Sequence, residues 1–127
     1  MFQDFVEELK QLNLPMGEYA IFGSGPLAVR GVRESQDIDL VVKDGLWQEL
    51  SQKYAPEGRR IYVGNVEIYA DWSPWTDTGF LVDSAEIIEG MPYVRLEYVQ
   101  EWKAYLSRDK DKADLKLIEK YLSEGGR

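Results

Sequence analysis

The sequence predicts a single α/β (α+β) domain, in which helices flank a small mixed β-sheet and a C-terminal pair of helices follows. Three observations favour this class. The 127 residues suit one domain, and an apolar fraction of 44% is ample for a core. Apolar residues recur at helical spacing near both ends, and short β-rich runs lie between them. The predicted domain spans 1–127, with its core at about 18–94 and its C-terminal helices at about 95–122.

The first half of the chain alternates predicted helices with short apolar strands. Phe2, Val6 and Leu9 share one helical face, so residues 2–13 are predicted as an amphipathic helix that ends before Pro15. The elements that follow are a strand at 18–22, a short helix at 26–30, a strand at 37–42 and a helix at 45–54.

The second half predicts two hairpins and then the helix pair. Gly64-Asn65 separates two β-rich runs and is a strong turn signal. A second, smaller hairpin is predicted around Glu89-Gly90, and the tract 73–80 between the hairpins is predicted as a loop. The C-terminal helices are predicted at 95–106 and 111–122, joined by "SRDKD", whose carboxylates suit helix capping.

The composition excludes several kinds of chemistry. The chain has no histidine and no cysteine, which rules out Ser-His-Asp catalysis, thiol nucleophiles, disulfides and thiolate or imidazole metal sites. Any metal site must therefore use oxygen ligands suited to Mg²⁺, Mn²⁺ or Ca²⁺. The net charge of −8 argues against broad nucleic-acid binding, which depends on neutralising phosphates with lysine and arginine.

The location of the protein is also constrained by sequence. No apolar run approaches the length of about 18 residues needed to cross a bilayer. The first ten residues, "MFQDFVEELK", lack the basic region of a secretory signal. We therefore expect a cytoplasmic protein with no membrane contact. Neither hairpin edge shows a device against strand pairing, which allows a homodimer.

Two aspartates spaced one apart are the most informative feature. Asp37 and Asp39 lie in "DIDLVV" and project from the same strand face, with Ile38 on the other. Two like charges so close together repel each other and need an explanation. A divalent cation supplies one, because Mg²⁺ is commonly held by one or two carboxylates together with phosphate oxygens and water.

A third carboxylate is expected from a neighbouring strand. "NVEIYADW" offers Glu67 and Asp71, which lie on the same strand face because they are four residues apart. Glu67 interrupts an apolar run and most needs explaining, so it is favoured. Asp71 stands at the end of the run, where a surface charge is ordinary, and remains the alternative.

A small-residue turn precedes the acid pair. Gly23 and Gly25 would let a ligand approach the backbone closely, Ser24 offers a hydroxyl, and the helix that follows favours a phosphate at its N-terminus. The alternative interpretation of Gly23-Ser24-Gly25 is a plain tight turn with no ligand. Trp72 and Trp75 are interpreted chiefly as packing residues, with stacking on a nucleobase as the alternative.

The chain resembles the nucleotidyltransferase superfamily, whose members have the polymerase-beta-like fold. "IFGSG" at 21–25 and "DIDLVV" at 37–42 are similar to its motif, in which a hydrophobic residue, a Gly, and a Gly or Ser are followed, after a gap, by acid–hydrophobic–acid. The resemblance is stronger to small stand-alone members, which include antitoxin and abortive-infection types. Their C-terminal pattern "K…R-x-KD…D" is matched by Lys103, Arg108, Lys110, Asp111 and Asp114.

The resemblance implies a set of roles for residues across about 18–120. Asp37, Asp39 and Glu67 (or Asp71) would hold Mg²⁺ (or Mn²⁺) and carry catalysis. The nucleotide-binding residues would be Gly23, Ser24, Gly25, Arg33 (or Arg30) and Lys110. Lys110 and Asp111 would either face the nucleotide or dock the last helix.

Two functions from different classes are expected on this basis. The first is an Mg²⁺-dependent nucleotidyltransferase that moves a nucleoside monophosphate from a nucleoside triphosphate to a hydroxyl on a protein, an RNA end or a small molecule. The second is a non-catalytic module of the same fold that binds a protein partner, as an antitoxin does. A structural domain whose carboxylates bind Ca²⁺ or nothing is a third interpretation.

Overall fold

The computed structural model describes all residues from Met1 to Arg127. Its strands are β1 (Tyr19–Phe22), β2 (Ile38–Val42), β3 (Arg60–Val63), β4 (Val66–Tyr69), β5 (Glu86–Ile88) and β6 (Met91–Tyr93). They form one six-stranded sheet in the order β3-β4-β2-β1-β6-β5. The predicted α+β class with a small mixed sheet is confirmed.

The strand pairing explains why the sheet is mixed. The two hairpins, β3–β4 and β5–β6, are antiparallel, as is β1 with β2. The contacts of β2 with β4 and of β1 with β6 are parallel, so each hairpin is added to one side of a central antiparallel pair. The turn of the first hairpin is Gly64-Asn65, as predicted, and Gly64 has a φ of +64°.

Six helices surround the sheet. They are α1 (Phe2–Lys10), α2 (Gly25–Val29), α3 (Asp44–Lys53), α4 (Thr78–Asp83), α5 (Leu96–Leu106) and α6 (Asp109–Ser123). Helix α1 stops three residues short of its predicted end, and α6 begins two residues before its predicted start. Neither difference alters the architecture.

The alternation of side chains along β2 separates two hydrophobic cores. Ile38, Leu40 and Val42 face a core that α1 and α3 cover. Val41 faces a second core, which contains side chains from α4, α5 and α6. Asp39 lies on the same strand face as Val41. The candidate acids are therefore on the sheet face that carries the C-terminal helices.

The prediction of a loop at 73–80 was wrong at its end, because α4 begins at Thr78. The Asp77 carboxylate caps this helix by accepting a hydrogen bond from the Gly79 amide at 2.8 Å. The Thr78 hydroxyl donates to the Val42 carbonyl at 2.7 Å, and Leu81 and Val82 are buried. Six residues give a weak helical pattern, and packing on the sheet stabilises this one.

None of the six helices combines the length and the apolar character needed to span a bilayer. Strands β3 and β5 form the two edges of the sheet. Pairing of two copies through an edge stays a prediction.

Candidate metal centre

Three carboxylates meet at one end of the sheet. Asp37 immediately precedes β2, Asp39 is its second residue, and the parallel register places Glu67 of β4 directly beside Asp39. One carboxylate oxygen from each lies within 4.8 Å of the others. We call these three residues the acid cluster. Their oxygens are close enough together to contact one cation.

The electrostatics of the acid cluster are unfavourable without a cation. Burial, followed by the charges of Asp37 and Glu67, raises the pKa of Asp39 to about 8. Burial and the neighbouring Glu67 carboxylate raise the pKa of Asp37 to about 6. In addition, Asp39 Oδ1 is buried and has no hydrogen-bond partner. Such an atom is costly to bury unless something coordinates it.

Gly23 is required by the position of Asp39. Its φ is +62°, and a Cβ atom built on it would overlap the Asp39 carboxylate. The turn between β1 and α2 therefore passes directly against the acid cluster. Position 25 requires glycine for a different reason, because a Cβ there would overlap the Ile21 side chain in the core.

Gly23→Ala is expected to displace Asp39 and to weaken Mg²⁺ binding about tenfold. It should also lower the free energy of unfolding by about 1–2 kcal/mol more than a matched Gly31→Ala variant. Gly31 has a φ of +73° but nothing within 4 Å of the point where an alanine Cβ would lie, so its variant measures backbone strain only. Urea unfolding and calorimetric Mg²⁺ titration check both effects. Equal losses in the two variants, with Mg²⁺ binding intact, would contradict the proposed contact.

The Ser24 hydroxyl is engaged within the protein. Its oxygen lies 2.6 Å from the Ser35 hydroxyl, which in turn donates to the Asp37 carbonyl at 2.7 Å. Ser35 is fully buried. This chain of hydroxyls ties the small-residue turn to the segment that carries Asp37. A phosphate contact by Ser24 stays a prediction.

The alternative third acid, Asp71, lies outside the acid cluster. Both of its carboxylate oxygens accept hydrogen bonds from Arg59, at 2.7 and 3.0 Å. The Arg59 guanidinium lowers the pKa of Asp71. Asp71 therefore belongs to a surface ion pair with Arg59. Glu67 is the acid that the sheet register brings to Asp37 and Asp39.

The three basic side chains that were predicted to bind phosphate lie in different environments. Arg33 Nη1 donates hydrogen bonds to both carboxylate oxygens of Asp114, at 2.7 and 3.0 Å. Arg30 is buried and pairs with Glu86. Lys110 is exposed in the first turn of α6. The two arginines thus hold parts of the fold together, and their contact with a phosphate stays a prediction.

The C-terminal pattern forms a buried ionic network. Lys103 of α5 contacts Asp111 and Asp114 of α6 at 3.4 and 2.9 Å, and all three side chains are nearly inaccessible. Arg108 donates two side-chain hydrogen bonds to Asp111 at the start of α6. Asp111 therefore docks the last helix, which was one of the two roles expected for it.

Sequence reasoning missed three residues around Glu67. The Tyr69 hydroxyl donates to Glu67 Oε1 at 3.0 Å, and the hairpin register places Tyr62 directly opposite Glu67. The Arg60 guanidinium lies 3.2 Å from the Tyr62 hydroxyl and 5.7 Å from the centre of the Tyr69 ring. The Gly64-Asn65 turn, read with strand alternation, could have identified these neighbours.

Comparisons with protein-family models, with curated proteins and with solved structures find no match to this chain. The acid cluster offers only oxygen donors, one of them buried and unpartnered, in a chain that has no histidine or cysteine. That donor set fits Mg²⁺ or Mn²⁺.

Proposed function

We propose that the protein is an Mg²⁺-dependent nucleotidyltransferase, which transfers a nucleoside monophosphate from a nucleoside triphosphate to a hydroxyl group. The acceptor would be a protein, an RNA end or a small molecule. The observation that carries the proposal is the convergence of Asp37, Asp39 and Glu67, with the Gly23 backbone packed against Asp39. The resemblance of "GSG" and "DID" to the nucleotidyltransferase motif supports the same function.

The acid cluster supplies what nucleotidyl transfer requires of a protein. When bound, Mg²⁺ would neutralise the triphosphate and stabilise the charge that develops on the attacking and leaving oxygens. Asp37, Asp39 and Glu67 would hold it, with Mn²⁺ as a substitute. The hydroxyl oxygen of the acceptor forms a bond to the α-phosphorus, pyrophosphate leaves with the electrons of the broken P–O bond, and the hydroxyl proton passes to an ionised carboxylate.

Neighbouring residues would position the reactants. Tyr69 keeps Glu67 oriented through its hydrogen bond, and burial, the nearby Asp39 charge and that hydrogen bond raise the pKa of the Tyr69 phenol, so the donor remains protonated. Arg60 forms none of the ion pairs in the structure. Its exposed guanidinium donates to the Tyr62 hydroxyl and keeps further N–H groups that could contact a phosphate oxygen beside the acid cluster.

The experiment that tests the function compares Glu67→Gln with Asp71→Asn. The first removes a charge from the acid cluster, and the second removes a charge from the surface ion pair that Asp71 forms just after β4. We expect Glu67→Gln to weaken Mg²⁺ binding at least about tenfold and to abolish release of pyrophosphate from nucleoside triphosphates. Asp71→Asn should leave Mg²⁺ binding unchanged. Calorimetric Mg²⁺ titration and a coupled pyrophosphate assay supply the readouts.

The outcomes separate the two expected functions. Mg²⁺-dependent pyrophosphate release that Glu67→Gln abolishes, together with Mg²⁺ binding that Asp71→Asn preserves, would support the enzyme. No Mg²⁺ binding by the parent protein would overturn the proposal. Binding of MgATP, MgGTP, MgCTP or MgUTP without any pyrophosphate release, even with cell extract as a source of acceptor, would favour the non-catalytic binding module instead.

A further inference from the structure

A cavity of about 290 Å³ opens between the end of β4 and the junction of α5 with α6. Its apolar lining comes from four side chains, which are Tyr69, Trp72, Trp102 and Leu106. Asp71, Ser73 and Arg108 form its polar part. This volume is at the lower end of ligand pockets, which suits one flat ring system better than a whole nucleotide.

Trp72 gives this cavity a rigid aromatic wall. The residue is only 8% exposed. Its indole is fixed in place because the ring centroids of Phe22, Tyr69 and Trp102 lie 4.7, 4.8 and 5.0 Å from its own. A flat ring that enters the cavity would therefore meet a preformed aromatic surface.

Tyr69 joins the cavity to the acid cluster. Its ring lines the cavity, while its hydroxyl contacts the Glu67 carboxylate at 3.0 Å. A ring bound in the cavity would therefore be separated from the acid cluster by a single side chain. That arrangement suits a ligand with an aromatic ring at one end and phosphates at the other.

We propose that this cavity binds the nucleobase of the nucleoside triphosphate, with the base packed against the aromatic ring of Trp72. The inference rests on the proposed function and deepens it, since it assigns a subsite to part of the substrate. Tyr69, Trp102 and Leu106 enclose the apolar faces of the base, and aromatic side chains commonly bind bases in this way. Arg108 is held by Asp111 and lies at the side of the cavity.

The test uses two variants that change the cavity by opposite means, with one matched control. Trp72→Phe shortens the aromatic wall and widens the cavity, and Leu106→Phe fills the cavity while leaving Trp72 in place. Trp75→Phe is the control, because Trp75 packs on Phe22 and Tyr98 and does not line the cavity. Binding of MgATP, MgGTP, MgCTP and MgUTP is measured by calorimetry, and Mg²⁺ is titrated separately without nucleotide.

We expect Trp72→Phe and Leu106→Phe each to weaken binding of the preferred triphosphate about tenfold, with Mg²⁺ affinity unchanged. Trp75→Phe should retain the parent affinity. Equal triphosphate affinity in all four proteins, or no triphosphate binding by a parent protein that binds Mg²⁺, would overturn the base subsite and leave the metal site standing. No Mg²⁺ binding by the parent would overturn the proposed function itself.

Discussion

Asp39→Asn is expected to make the metal-free protein more stable at pH 8 while it abolishes Mg²⁺ binding. The ionised Asp39 carboxylate is disfavoured in the folded state by burial and by the charges of Asp37 and Glu67, which raise its pKa to about 8. An asparagine carries no charge to bury. Each pKa unit corresponds to about 1.4 kcal/mol, so after allowance for the buried amide we expect a gain of about 2–4 kcal/mol.

The gain from Asp39→Asn should depend on pH with a definite sign. The folded-state pKa lies above the unfolded value of about 4, so the folded protein holds this proton more tightly than the unfolded chain. The stability of the parent therefore falls as pH rises from about 4 to about 8. The electrostatic gain of the variant over the parent should be lost near pH 4 and reach its maximum above pH 8.

Urea unfolding in EDTA, from pH 4 to pH 8.5, measures this difference. Asp71→Asn is an informative control, because Arg59 lowers the pKa of Asp71 and removal of that carboxylate should not stabilise the protein. If Asp39→Asn is less stable than the parent at pH 8, and the stability difference between the two proteins does not change with pH, the predicted repulsion is contradicted. The combination of higher stability and lost Mg²⁺ binding is the pattern expected of a functional site.

Asp111→Asn is expected to lower the free energy of unfolding by about 3–5 kcal/mol, because it leaves buried Lys103 without one of its two carboxylate partners. The substitution also removes the charge that accepts hydrogen bonds from the Arg108 side chain and backbone. Asp109→Asn is the matched control. Asp109 is exposed in the same first turn of α6, so its loss should cost less than about 1 kcal/mol.

The pH dependence of the Asp111 contribution has the opposite sign to that of Asp39. Hydrogen bonds from Arg108 and the charge of Lys103 lower the pKa of Asp111 to about 2. Its stabilisation is therefore complete above the unfolded value of about 4 and is lost as pH falls toward 2. Urea unfolding of parent and variant between pH 2 and pH 7 measures this, and curves that stay parallel down to pH 2 would argue against the network.

The buried network also bears on the candidate site. Arg33 joins it through Asp114, and the segment that follows Arg33 carries Ser35, whose hydroxyl donates to the Asp37 carbonyl. The C-terminal helices are thus linked to the loop that positions one member of the acid cluster. Lys103, Asp111 and Asp114 of the C-terminal pattern therefore have a structural role in this chain.

Local sequence signals determined the class of fold and most of its elements. The Gly64-Asn65 turn and the helical spacing of Phe2, Val6 and Leu9 act over short distances, so each could be read without knowledge of the rest of the chain. The same is true of the shared strand face of Asp37 and Asp39. Helix α4 was missed because its stability comes from packing of Leu81 and Val82 on the sheet rather than from its own six residues.

Only the tertiary structure decided which distant groups meet. The parallel register of β2 with β4 brings Glu67 to Asp39, and the pairing of Arg59 with Asp71 removes the other candidate acid from the acid cluster. Strand alternation fixes which face a side chain occupies, but the order of strands in a sheet depends on long-range contacts that no local pattern encodes. The aromatic wall at Trp72 and the cavity beside Tyr69 arise for the same reason, since elements far apart in sequence create them together.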